Sequence, residues 1–123
     1  MKMNNIEKFL WVKEFGAAVT VCSKDGTITE MNDKAVKTFE TDGGLGLVGT
    51  NVLDCHPEPS KTQLREMLEN PAVNAYTIEK NGVKKLIYQA PYYEDGVYMG
   101  YVELSMEVPF DMKHFVRDVK NEN

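Results

Sequence analysis

Two short turn signals in the second half of the chain restrict its fold more than any other feature. Asn81-Gly82 and Glu94-Asp95-Gly96 place Asx-Gly pairs, the favoured chemistry of tight hairpin turns, between stretches rich in alternating β-branched and aromatic residues. Residues 73–80, 83–92 and 97–106 are therefore expected to form an antiparallel meander. In its middle strand Leu86, Tyr88 and Ala90 share one face with Lys84, while Val83, Lys85, Ile87 and Gln89 share the other.

A second hairpin is expected upstream. Residues 17–23 (AAVTVCS) are small or β-branched, Lys24-Asp25-Gly26-Thr27 forms a turn, and 27–31 supply the return arm. Asn32 or Asp33 then caps a short helix that buries Ala35, Val36 and Phe39, and the glycines at 43, 44 and 46 end it. Residues 48–59 leave room for one helical turn around Asn51 to Cys55. Ser60 and Gln63 predict a capping box for a longer helix with Leu64, Met67 and Leu68 on its apolar face, stopped at Asn70-Pro71. At the ends, Ile6, Phe9, Leu10 and Lys13 follow helical spacing before Gly16, and Asp111 precedes Met112, Phe115, Val116 and Val119 at i, i+3, i+4, i+7. The division that follows is a flanking helix at 1–16, a domain at 17–108, and a C-terminal helix or tail at 109–123.

With 123 residues the chain has room for one hydrophobic core, and its 42% hydrophobic and 27% charged residues place it among folded chains, away from disordered ones. A net charge of −5 argues against a nucleic-acid partner, because phosphate backbones are held by clustered Lys and Arg. No apolar run is long enough for a membrane helix and the first residues, Met1 to Asn5, lead into charge, so a cytoplasmic protein with no membrane partner is expected. Cys22 and Cys55 are too few for a disulfide framework or a four-thiolate zinc site.

The element order, with Asp25-Gly26-Thr27-Ile28, Asn32-Asp33-Lys34-Ala35, Leu47-Val48-Gly49 and the Asn81-Gly82 hairpin, resembles the PAS domain family over about residues 17–106. The fold class this implies is α+β: a five-stranded antiparallel sheet with short helices on one face and flanking N- and C-terminal helices. The resemblance further implies a sensory, signal-transduction module whose inner pocket holds heme, flavin, a small metabolite or nothing, and which forms a homodimer through its flanking helices or engages an effector protein. The fold itself selects none of these.

Pocket candidates follow from the residues near that inner face. Cys55-His56 is the one place where a thiol and an imidazole adjoin, and Tyr76, Tyr88 and Tyr101 could each offer a hydroxyl from a strand. Flavin photoreceptors of the family carry Asn-Cys-Arg-Phe-Leu-Gln, whereas Cys55 is followed by His56-Pro57-Glu58, so a flavin is disfavoured. For heme, His56 is the one residue placed to ligate iron, since the helix at 60–70 contains no His. The structural alternative makes His56 part of a Pro-flanked turn and Cys55 a small hydrophobe. His114 and the Lys84-Lys85 pair read as solvated positions. Enzyme readings fail on inventory, because no phosphate loop, zinc-protease motif or nucleophile with a separate base is present. The expectation is a ligand-binding, dimerising module and not an enzyme, with a ligand-free interaction module and a heme-based gas or redox sensor as alternatives.

Overall fold

The computed structural model describes residues 10–119. Five strands, β1 (Ala18–Ser23), β2 (Ile28–Met31), β3 (Asn74–Lys80), β4 (Val83–Glu94) and β5 (Val97–Val108), form one sheet in the order β2-β1-β5-β4-β3. Every pairing is antiparallel. Both meander turns have the expected backbone: φ is +53° and +78° at Asn81 and Gly82, and +51° and +81° at Asp95 and Gly96. Two consecutive positive φ values suit the right-handed twist of the strands they join, which is why Asx-Gly occupies both turns. The early hairpin joins the same sheet because β1 pairs with β5 along its whole length, from Ala18 opposite Ser105 to Ser23 opposite Gly100.

Strand β1 is buried on both faces, and this sets the layers. Inward, Ala18 packs with Ile28, Met31, Ala35 and Val48 under α2 (Asp33–Thr38) and the 3-10 turns Gly44–Leu47 and Val52–Cys55. Outward, Val19 and Val21 are covered by Val12 of α1 (Leu10–Lys13), so α1 lies on the opposite face from the other helices. The rest of the predicted 1–16 helix, with Ile6 and Phe9, lies outside the described residues.

Asn32 binds these layers together from a fully buried position. Its Oδ1 accepts from the N–H of Val19 at 2.9 Å and of Ala35 at 3.0 Å, the second being the N-cap bond of α2. Its Nδ2 donates to the carbonyls of Val12 at 3.0 Å and Ala17 at 2.9 Å. Of the two capping candidates the chain uses Asn32, because an amide can both accept from α2 and donate to α1, whereas a carboxylate could only accept.

The longer helix α3 (Ser60–Glu69) forms, but not with the expected capping box: Ser60 is already helical and makes no capping bond. The Glu58 carboxylate does this work, accepting from the Thr62 N–H at 3.1 Å and hydroxyl at 2.7 Å, and these bonds hold its pKa below the usual carboxylate value. The C-terminal helix is a correction. Residues 109–119 contain no helix, and their apolar side chains stand in solvent, Val119 at 97% exposure. Helical spacing does not suffice where no surface receives the stripe, since short helices gain most of their stability from packing. The segment is a tail, and His114 lies exposed on it.

Candidate functional site

The concave face of the sheet and the helices opposite enclose a cavity of about 630 Å³. Alternation along each strand decides what lines it: Thr20 and Cys22 from β1, Tyr101, Glu103 and Ser105 from β5, Lys85, Ile87 and Gln89 from β4, and Tyr76, Ile78 and Lys80 from β3. The facing wall is largely apolar, with Phe39, Leu47, Val52, Leu64, Met67 and Leu68.

Four of the five residues singled out in the sequence line this space, Cys55, His56, Tyr76 and Tyr101. Tyr88 does not. It shares the outer face with Leu86 and Ala90, opposite Leu104 of β5, because side-chain parity along β4 sends it away from Ile87 and Gln89.

Tyr101 reaches the cavity with its ring only, since its hydroxyl is engaged elsewhere. It donates to the Met67 carbonyl at 2.7 Å and accepts from the Ala72 N–H at 2.8 Å. The Tyr98 hydroxyl donates to the Leu68 carbonyl at 2.9 Å. These are carbonyls at the end of α3 that have no partner within the helix, so the two tyrosines cap α3 from β5. Burial is the main cause that pushes the Tyr98 hydroxyl up to about 12, and it raises Tyr101 as well. Burial raises the Cys22 thiol too, which makes it a poor nucleophile.

His56 stands at the exposed rim. Its Nδ1 lies 2.7 Å from the Val52 carbonyl, which can only accept, so Nδ1 carries a proton. Cys55 beside it is an exposed free thiol. Among the described residues no three His, Cys, Asp or Glu side chains converge as a metal site.

The strongest polar feature of the cavity is a row across three strands that was not singled out in the sequence. Asn74 Nδ2 donates to Gln89 Oε1 at 2.9 Å, and Gln89 Nε2 donates to Glu103 Oε1 at 2.7 Å. The row ends on the central strand with Thr20 of β1 opposite Glu103. Tyr76 lines the same wall, and its hydroxyl pKa is raised by burial first and then by the charge of Glu103.

No protein-family model matches the sequence, and no curated protein matches it either. Solved structures do. A C-terminal domain from Streptococcus mutans superposes with a TM-score of 0.66 at 18% identity, covering 85% of both chains. The PAS domain of Bordetella pertussis BvgS gives 0.59 at 16% identity over 86% of this chain and 88% of that one. The Aer2 receptor from Vibrio cholerae, a dual PAS-heme oxygen sensor, gives 0.59 at 12% identity over 76% and 95%. The sheet order, the helices on its concave face and these superpositions define the class: the chain has the PAS fold. Among the described residues no helix is long and apolar enough to cross a membrane.

Proposed function

We propose that the domain is a sensory module that binds a small organic ligand in the concave cavity and works as a dimer. The observation that carries this reading is the cavity itself, about 630 Å³ of mostly apolar wall with one oriented polar row. Apolar lining with a few fixed polar groups is the usual make-up of a small-molecule site. Transmission has a route in Asn32. Helix α2, which leads into the cavity residues Thr38 and Phe39, is held by the same side chain that holds the Val12 carbonyl of α1 across the sheet. A displacement of α2 by an occupant would therefore be felt at α1, whose Leu10 and Trp11 are 82% and 71% exposed and offer a surface to a second copy.

Heme suits this wall poorly. A porphyrin needs broad apolar contact on both faces and an enclosed axial ligand, whereas the sheet side presents Gln89, Glu103 and Lys85, and His56 stands on the rim. The protein should purify without a Soret band, and His56→Ala should leave the binding of added hemin unchanged. A stoichiometric Soret band abolished by that substitution would establish the gas or redox sensor instead.

Native mass spectrometry of the purified chain tests the main reading, together with Ile87→Trp, which fills the cavity from its floor. A bound small molecule that the substitution removes supports it. If wild type carries none, and thermal unfolding responds to no small molecule in a broad panel, the domain is a ligand-free interaction module.

A further inference from the structure

We propose that the cavity selects a ligand with a cationic amine head and an apolar body, and that Glu103 receives the amine. This deepens the cavity reading above and rests on it. The case begins with where Glu103 sits. It is half-buried on the central strand, in the middle of the concave wall. One carboxylate oxygen, Oε1, is held by Gln89, which is itself held by Asn74. Among the described residues the second oxygen has no protein donor, and no Lys, Arg or His nitrogen lies within ion-pair distance of Glu103. A carboxylate with one oxygen anchored and the other open to an apolar cavity is a preorganised acceptor for a charged donor.

The two lysines of the wall do not compete for this role. Lys80 is exposed on the edge strand, and Lys85 lies opposite Glu107, one inward-facing row beyond Ile87 and Ser105. Long lysine stems allow the ammonium groups to reach water, and among the described residues neither lysine forms an ion pair with Glu103. The rest of the lining is mostly apolar or hydroxylic, with Ile87 and Tyr76 on the sheet and Leu64, Met67 and Phe39 opposite; its other carboxylate, Asp42, is exposed on the 3-10 turn Glu40–Asp42. An alkyl or aryl body fits that surface, and Tyr76 adds an aromatic ring and a hydroxyl to the same wall.

The test titrates the full chain calorimetrically with n-hexylamine, n-hexanol and n-hexanoate, which share one body and differ in the head. The amine should bind at least about tenfold more tightly than the alcohol, the range expected for one charge-assisted hydrogen bond, and the carboxylate most weakly. Glu103→Gln, which keeps the shape and the bond from Gln89, should reduce the amine to the affinity of the alcohol and leave the alcohol unchanged. The unchanged alcohol also serves as the check on folding. Glu107→Gln, an exposed carboxylate on the same strand, should have no effect, which separates the site from general attraction to an acidic protein. If hexanoate binds best, or Glu103→Gln leaves amine binding intact, the inference is overturned while the cavity reading stands. If none of the probes binds, this inference is overturned, and the cavity reading is decided separately by native mass spectrometry and the broad ligand panel.

Discussion

Replacing Asn32 by Ala tests whether one side chain holds α1, β1 and α2 in register. Four hydrogen bonds of 2.9 to 3.0 Å are lost from a fully buried position. Loss of the N-cap alone costs about 1 kcal/mol. Each further buried group left unpaired costs roughly 1–3 kcal/mol, and water entering the space vacated by the amide offsets part of this. A total of about 3–5 kcal/mol follows, a large share of the roughly 5–15 kcal/mol that holds such a domain together. Thermal unfolding should fall by about 10–20 °C for a chain of this size. Asn32→Asp sharpens the test. It keeps the acceptor oxygen but turns a second oxygen onto the Val12 and Ala17 carbonyls, so the folded state favours the protonated acid and raises its pKa. The stability of that variant should then be greatest at acid pH and fall as pH rises past the ordinary carboxylate value. Trp11, the single tryptophan, lies next to Val12 and reports the release of α1 by its fluorescence. A loss under about 1 kcal/mol for Asn32→Ala, measured by urea unfolding, would refute the hub.

Four other outcomes are expected. Gly100→Ala should prevent or cripple folding, because a Cβ there would run into the Cys22 carbonyl oxygen and the Ser23 backbone at a φ of +152°; an unchanged melting temperature would mean that β5 can move off β1. Leu68→Ala removes a buried side chain packed on Cys22 and Tyr101 and should cost about 2–5 kcal/mol in denaturant unfolding, while a silent substitution would place α3 off the sheet. For Tyr98, raised in the folded state from 10.0 to about 12, the unfolded chain loses the proton first, so its contribution is complete below pH 10 and lost toward pH 12; a urea midpoint that holds or rises across that window contradicts the burial of its hydroxyl. Light scattering should find a dimer that the pair Leu10→Glu and Trp11→Glu converts to monomer, and a monomeric wild type would show that α1 covers only its own sheet.

The fold was largely legible because its signals are local. Asn81-Gly82 and Asp95-Gly96 set two turns through positive φ angles that few residue pairs accept, and alternation in 83–92 assigned the faces of β4 without further information. Where the sequence misled, a local pattern had a stronger rival or lacked a partner. Ser60 and Gln63 have the spacing of a capping box, but Glu58 reaches Thr62 first. Met112, Phe115 and Val116 have helical spacing but no surface to pack on. The same parity that puts Ile87 inside already argued against Tyr88 as a pocket residue, and that signal was available.

The site was much less legible, because its chemistry joins residues far apart in the chain. The Tyr101 hydroxyl caps a helix 34 residues away, so no window of sequence distinguishes it from Tyr76, which faces the cavity. The Gln89–Glu103 pair depends on register. Glu94 pairs with Val97 and Tyr93 with Tyr98, and the same step carried down the hairpin would set Gln89 opposite Val102, an outward residue. The irregularity between Tyr92 and Tyr93 shifts the ladder by one, so that Tyr92 meets Gly100 and Gln89 meets Glu103. A one-residue shift exchanges the faces that neighbouring strands present to each other, and here it brings the amide and the carboxylate together on the concave wall. Gly100 lies beyond the shift, opposite Ser23 of β1, and a side chain there would strike the Cys22 carbonyl, so that the approach of the two strands depends on this glycine. The polar row is thus a product of the bulge. Reading it from sequence would have required recognising a backbone irregularity in Pro91-Tyr92-Tyr93, where the side chains give no sign of one.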